Sequence, residues 1–276
     1  MNHKYNYHTH SHYDDGQLAM EDFVKAAIEL DFEALGFSGH SPLPVSNEWS
    51  IPGKKLPEYI AEGKRLKEAY RNEIRLYLGL EIDYIPGLSD DYSIFTKEIP
   101  LDYCIGSVHL VREPNSGEIW FIDGPAEGYF RGIAEVFGGD HRKAVTAYYE
   151  QSMQMVETQK PEIIGHIDKV NMHNQETLFS TTEPWYIELT DRLLEAVRRS
   201  GTIVELNTRG VYTGKTEAYF PSDEILKKCL ELEIPMMVNS DAHHPEQLLS
   251  HVPEAIEKLR TIGFRQLQTP FDTYRI

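Results

Sequence analysis

Seven short apolar runs, most of them separated by stretches with helical spacing, restrict this chain more than any other feature. The runs are Tyr5–His8, Ala34–Ser38, Ile74–Leu80, Asp102–Val108, Ile163–His166, Ile203–Leu206 and Pro235–Asn239. Each has the length of a strand and falls short of a buried helix. Between them, Glu21–Leu30 is amphipathic, Leu56–Tyr70 is rich in Lys and Glu, and Arg142–Thr158 is long enough for a helix of several turns. A further helix is expected to be capped by Thr182, with Pro184 in its first turn and Gly201 stopping it after Arg198 and Arg199. Asp223–Glu233 and Pro245–Ile262 close the series. Strands alternating with helices build a mostly parallel sheet with right-handed crossovers. The expectation is one α/β domain over residues 1–276, closed into a barrel, with a doubly wound open sheet as the alternative.

The strand ends favour the barrel, because chemically active residues stand at nearly all of them. His8-Thr9-His10 follows the first run, and residues two apart on extended chain share a face. His40 ends the second run, Glu81 the third, His109 the fourth, His166 the fifth, and Asp241-Ala-His243 the seventh. Asp15 can return to the same place through the turn at Gly16, and Asp14 competes with it. His12 shares the face of His8 and His10 if the chain stays extended, and otherwise sits at the rim. A single strand-end Glu is usually solvated, and a lone His usually packs in a core or loop. Five further strands delivering such groups to the same mouth are poorly explained that way, because crowded carboxylates and imidazoles are costly without cations.

The ligand set read from these positions is His8, His10, Asp15, His40, Glu81, His109, His166, Asp241 and His243. Nine groups exceed the needs of one ion and suit two or three divalent cations, with Glu81 as the bridging carboxylate. Mixed nitrogen and oxygen ligation without thiolate favours Zn, Mn, Fe or Co over Mg or Ca.

Composition narrows the partners. Lys and Arg number 27 and Asp and Glu number 44, a net charge of −17. Such a chain has no basic surface for nucleic acid. Cys104 and Cys229 are too far apart in sequence for a clustered metal motif or a disulfide framework. The start of the chain lacks the apolar core of a signal peptide, and no run is long enough to cross a membrane. A cytoplasmic protein acting on a small molecule is expected.

The order HxH, Asp, His, Glu, His, His, DxH resembles that of the PHP (polymerase and histidinol phosphatase) family, from Tyr7 to His243. The resemblance implies a distorted (β/α)7 TIM-like barrel with a trinuclear metal site that hydrolyses phosphoesters. Gly79-Leu-Glu-Ile-Asp-Tyr, Gly106-Ser-Val-His and Glu162-Ile-Ile-Gly-His-Ile-Asp-Lys look like the single-domain histidinol-phosphatases of histidine biosynthesis. The long insert between His109 and His166, with Trp120-Phe-Ile-Asp-Gly-Pro, is a departure: it forms a lid or a packed elaboration of one βα unit.

This resemblance implies hydrolysis of L-histidinol phosphate by a metal-bridging hydroxide. Metal ions acidify water and neutralise phosphoryl charge, which suits that reaction. The departing alkoxide needs a proton, and Asp168 and His244 are candidates to supply it beside Glu81 at the catalytic centre. Asp168 can instead orient a ligand imidazole. Arg209, after the sixth run, can clamp phosphate. Lys169 and His12 are further substrate-binding candidates, and Asp83 or Glu205 can meet the substrate amine. The alternatives are a family phosphoesterase acting on phosphotyrosine, a nucleotide or a DNA 3′ end, a metal-dependent amidohydrolase, and a non-catalytic scaffold.

Overall fold

The computed structural model describes residues 4–276. Its strands are β1 (Tyr5–Asn6), β2 (Ala34–Phe37), β3 (Arg75–Asp83), β4 (Tyr103–Ser107), β5 (Leu110–Arg112), β6 (Ile119–Phe121), β7 (Ile163–Ile164), β8 (Ile203–Asn207), β9 (Met236–Asn239), β10 (Gln266–Gln268) and β11 (Thr273–Arg275). The helices are α1 (Met20–Glu29), α2 (Leu56–Ala69), α3 (Ser93–Thr96), α4 (Ala126–Val136), α5 (His141–Gln159), α6 (Pro184–Ser200), α7 (Arg209–Tyr212), α8 (Asp223–Glu231) and α9 (Val252–Ile262).

Seven strands form one parallel sheet in the order β1-β2-β3-β4-β7-β8-β9. A parallel bridge between Thr9 and Ala242 joins the two edges. There His10 N donates to Ala242 O at 2.9 Å, and Ala242 N donates to His8 O at 3.0 Å. The result is a nearly closed, distorted (β/α)7 barrel, whose two edge strands meet through this single bridge beyond their ends.

Residues two apart on each strand share a face, and this period sorts the barrel interior into layers. Tyr5, Tyr7, Ala34, Tyr103, Ile105, Ile163, Ile203 and Met237 form a small apolar cluster with Tyr77. One step further along β3, β8 and β9 come Gly79, Glu205 and Asn239, and beyond them Glu81, Asn207 and Asp241. The interior therefore runs from apolar at the N-terminal ends to ionisable at the C-terminal ends. Gly36 and Gly79 are required here: a Cβ on Gly36 would meet the Tyr103 hydroxyl at 2.4 Å, and one on Gly79 the Tyr103 ring at 2.7 Å. The space they leave lets the Tyr103 hydroxyl donate to Tyr7 O and Phe37 O at 2.6 and 3.1 Å.

The β10–β11 hairpin seals the apolar end. Phe271 stacks on Tyr77 with ring centroids 3.7 Å apart, and Tyr274 packs on Tyr5 at 4.8 Å. This hairpin has no counterpart among the expected elements. Two other expectations shift. Glu183 rather than Thr182 is the residue before α6, its carboxylate accepting Ser180 N and Trp185 Nε1. The helix expected over Pro245–Ile262 is a 3-10 turn, Pro245–Gln247, followed by α9, with His251 at φ 57° between them. The insert after His109 folds as the antiparallel pair β5–β6 and helix α4. Trp120 is buried in it and donates Nε1 to Tyr129 O at 3.0 Å. It is thus a packed elaboration, with Phe121 and Asp123 reaching the barrel mouth.

Candidate metal centre

The C-terminal ends of the strands enclose a cavity of about 170 Å³ lined by Asp15, His40, Glu81, His109, Asp241 and His243, with Trp49, Phe121, Asp123, Lys169, Arg209 and Lys215 around them. Glu81, on β3, lies at its centre. Its Oε2 is 3.0 Å from His40 Nδ1, 3.3 Å from His8 Nε2 and 3.7 Å from His10 Nε2. Its Oε1 is 3.0 Å from His166 Nε2, 3.8 Å from His109 Nε2 and accepts from Ser107 Oγ at 2.6 Å. Asp241 Oδ1 is 3.3 Å from His10 Nε2 and 3.7 Å from His8 Nε2. Asp15 Oδ1 is 3.1 Å from His243 Nε2 and 3.8 Å from His40 Nε2. All nine residues read as ligands from the sequence therefore meet here.

A metal-binding role is tested by what these donors lack. His8 Nε2, His10 Nε2, His40 Nδ1, His166 Nδ1 and Asp241 Oδ1 are buried without a hydrogen-bond partner. Buried polar atoms are rarely left so, and each costs free energy unless something binds it. Three overlapping groups have the spacing of ion sites: His10, Asp15, His40 and His243; His8, His10 and Glu81; and His40, Glu81 and His109. The donors are nitrogen and oxygen without thiolate, so they fit divalent metal ions.

A layer of carboxylates behind the imidazoles fixes their direction. His8 Nδ1 donates to Glu205 Oε1 at 2.6 Å, His10 Nδ1 to Asp14 Oδ2 at 2.6 Å, and His109 Nδ1 to Asp83 Oδ2 at 3.0 Å. A ring nitrogen held from behind points the other one forward. The sequence reading missed this layer. It gave Asp83 and Glu205 to the substrate amine, but both are buried, at 1% and 0% exposure, and committed to imidazoles. Their inward register, two residues from Glu81 and Asn207 respectively, was the available signal. Asp14 is likewise used up, also accepting Ser11 N at 2.8 Å and His40 N at 3.0 Å, which leaves Asp15 facing the cavity.

Three other expectations are corrected. Asp168 turns away from the cavity: its Oδ2 accepts Ser222 N at 2.9 Å, and it lines a separate pocket with Tyr219 and Phe220. Burial pushes its carboxyl up to about 7, but it is not among the residues lining the cavity and has no hydrogen bond to a ligand imidazole among the described residues. His244 Nδ1 accepts from Glu246 N within the 3-10 turn, outside the cavity lining. His12 is exposed and lies against Tyr13, ring centroids 4.3 Å apart, because the chain turns after Ser11 instead of staying extended.

Arg209 and Lys169 do line the cavity. Arg209 Nη1 donates to Asp241 O at 3.1 Å and to Tyr212 Oη at 3.3 Å, while Tyr212 Oη donates to the same carbonyl at 3.0 Å. Lys169 Nζ is 2.8 Å from Asp123 Oδ2. Burial alone would raise the Glu81 and Asp241 carboxyls, but the surrounding imidazoles outweigh it and hold both well below the usual range. Asp241 also carries a strained backbone, at φ 54°. Such a conformation in a non-glycine residue persists only where its surroundings fix it.

The PHP domain model matches residues 6–209. A histidinol-phosphatase of Bacillus subtilis (strain 168) is 28% identical over 242 residues, covering 81% of this chain and 87% of that protein. The solved structure of hisK from Listeria monocytogenes superposes with a TM-score of 0.79 at 25% identity, covering 91% of this chain and 99% of that one. A histidinol phosphate phosphatase from Lactococcus lactis subsp. lactis Il1403, solved in complex with Zn, L-histidinol and phosphate, superposes with a TM-score of 0.69 at 19% identity and covers 99% of each chain. The extent of the family match, lying over a barrel whose strand ends bring the expected donors together, means that this chain belongs to the PHP domain family.

Proposed function

We propose that this protein is a metal-dependent phosphomonoesterase that hydrolyses L-histidinol phosphate to L-histidinol and phosphate, in histidine biosynthesis. The observation that carries the reading is the set of orphaned buried donors around Glu81, with Arg209, Lys169 and Lys215 lining the same cavity. The Bacillus subtilis relative supports the substrate, since it is a histidinol-phosphatase matched over most of both chains. His8, His10, Asp15, His40, Glu81, His109, His166, Asp241 and His243 would hold two or three ions, with Zn, Mn and Fe suited to the donor set. Divalent ions held there would acidify water and offset charge on phosphoryl oxygens.

The chain's own residues do the rest. Glu205, Asp14 and Asp83 fix three imidazoles before any ligand arrives. Arg209 has only Nη1 engaged by side chains or carbonyls among the described residues, so the rest of its fork is available to phosphate. Lys169, nearly buried, adds a second positive charge. We place the activity in the cytoplasm; both cysteines are unpaired and buried, as suits a reducing compartment. Among the described residues no helix is long and apolar enough to cross a membrane.

The test is phosphate release by the purified, metal-loaded protein from L-histidinol phosphate, phosphotyrosine and mononucleotides. The highest kcat/KM is expected on L-histidinol phosphate. Faster turnover of phosphotyrosine or a nucleotide would assign the site to another phosphate ester.

A further inference from the structure

With Asp83 and Glu205 committed to imidazoles, the substrate amine needs another partner. The cavity is lined by four carboxylates: Asp15, Glu81, Asp123 and Asp241. Three of them belong to the candidate ligand set. Asp123 does not, and it stands just after β6, on the insert that departs from the expected βα pattern. Its Oδ2 meets Lys169 Nζ at 2.8 Å, and its Oδ1 lies 3.7 Å from Lys215 Nζ. A carboxylate offers about four acceptor positions, so these two leave room for a further donor.

The same insert supplies Phe121, whose ring lies nearly parallel to that of Trp49, 11° apart in plane with centroids 6.1 Å apart. Trp49 stands edge-on to His40 and His109, at 4.7 and 5.7 Å. An aromatic wall thus runs from the candidate metal ligands outward to Phe121, which is 38% exposed. Phe121 thus presents apolar ring surface at the mouth of the cavity, beside Asp123.

We propose that Asp123, Trp49 and Phe121 form the subsite that recognises the alcohol half of the substrate. Asp123 binds an ammonium on the carbon next to the esterified one, and the two aromatics pack a planar ring. This rests on the phosphatase reading above and deepens it. The juxtaposition of Lys169 and Asp123 is the core of the argument. It presents a cation and an anion 2.8 Å apart, facing the cavity. A phosphate ester with an ammonium on the neighbouring carbon carries the complementary pair of charges at comparable spacing. A neutral alcohol phosphate satisfies Lys169 and leaves Asp123 without a new partner. Specificity therefore comes from a built acceptor that only the amine completes.

Three esters separate the two parts of the subsite: L-histidinol phosphate has amine and ring, phosphoethanolamine has the amine alone, and glycerol 3-phosphate has neither. Asp123→Asn should lower kcat/KM roughly 10- to 150-fold for the two amines, the worth of a hydrogen bond to a charged group. Glycerol 3-phosphate reads only the altered Lys169 pair, so its change should be at least several-fold smaller than that of the two amines. Trp49→Ala should lower kcat/KM roughly 2- to 10-fold for L-histidinol phosphate only, the worth of an aromatic pair. Asp123→Glu should recover part of the loss. Equal losses on all three esters would overturn the proposal, since Asp123 would then only hold Lys169; so would no loss. Titration of L-histidinol into the metal-loaded protein, followed by calorimetry, needs no turnover. Weaker binding by Asp123→Asn supports the subsite even if no ester is hydrolysed, an outcome that would sink the phosphatase reading alone. Identical affinity in variant and parent overturns the subsite.

Discussion

The Nε2 atoms of His109 and His166 face each other at 3.2 Å. Two neutral imidazole nitrogens that close, both presenting lone pairs, repel unless a proton or a cation lies between them. Both also approach Oε1 of Glu81, at 3.8 and 3.0 Å. We expect two or three divalent ions per chain by elemental analysis, and phosphatase activity lost on chelation and restored by Zn or Mn. The ions compete with protons for these nitrogens, so metal uptake should release protons and apparent affinity should fall as pH drops through the histidine range. Retained activity in a protein shown to be metal-free would refute this.

Glu81 shares its two oxygens among five imidazoles and Ser107. Glu81→Gln keeps the shape but replaces an anionic oxygen with a nitrogen that cannot accept. Loss of kcat should be more than about 100-fold, beyond the cost of an outer-layer change, with less metal retained after gel filtration. Wild-type rate and metal content in this variant would remove Glu81 from the centre.

Glu205 acts one layer back. It accepts His8 Nδ1, Asn239 Nδ2, Asn207 Nδ2 and His166 N, at 2.6, 2.9, 3.0 and 3.2 Å. Glu205→Gln should weaken metal affinity roughly 10- to 100-fold, because the neutral amide holds the His8 Nδ1–H more weakly and turns one of two acceptor oxygens into a donor. Competition with a chelator of known affinity measures this directly, and an unchanged value would make Glu205 a packing residue only.

These carboxylates show what was legible in the sequence and what was not. All the ligands but Asp15, which lies in the turn before α1, were legible because the barrel places them at or just beyond strand ends, and strand ends can be found from apolar runs. Glu205 and Asp83 were visible as residues, but assigning them needed the inward register, which depends on strand extents. The third run was expected to end at Leu80, whereas β3 continues to Asp83 and carries both Glu81 and Asp83 inward. Asp168 misled for a related reason. The fifth run was expected to extend to His166, but β7 ends at Ile164 and His166 sits at φ 20°, so the period of two fails beyond it. The β10–β11 hairpin was missed because its three-residue strands carry little periodic signal.

Away from the site, Glu113 closes the turn between β5 and β6. It accepts Asn115 N and Ser116 N at 2.6 and 2.5 Å and pairs with Lys143 Nζ at 2.7 Å. Lys143 and the two amides pull its carboxyl down to about 2. A carboxyl lower in the folded than in the unfolded chain stabilises the fold above its unfolded value, near pH 4.3, and this is lost as pH falls towards about 2. Glu113→Gln should therefore be less stable than the parent at pH 7, with the gap narrowing between about pH 4.3 and 2. Denaturant midpoints across that range check it, and a gap independent of pH would rule out the charge as its source.

Arg209 gives the separation between holding metal and holding phosphate. Its Nη1 is anchored by Asp241 O and Tyr212 Oη, so the guanidinium is fixed before substrate arrives. Burial would lower its pKa, but Asp241 and Tyr212 outweigh this and keep the cation. A charge-assisted pair with phosphate is worth about 1.5–3 kcal/mol, so Arg209→Ala should lower kcat/KM roughly 10- to 150-fold on every phosphate ester. Metal content should stay the same, because Arg is no ligand. Arg209→Lys should recover only part of the loss, since an ammonium keeps the charge without the planar fork. Tyr212→Phe removes one of two anchors and should cost less than Arg209→Ala, raising KM more than it lowers kcat. The pattern differs from that of Asp123→Asn, whose loss should be concentrated on amine-bearing esters. If Arg209→Ala leaves kinetics unaltered on all esters, phosphate is held without Arg209, and the guanidinium serves only to brace the Asp241 carbonyl.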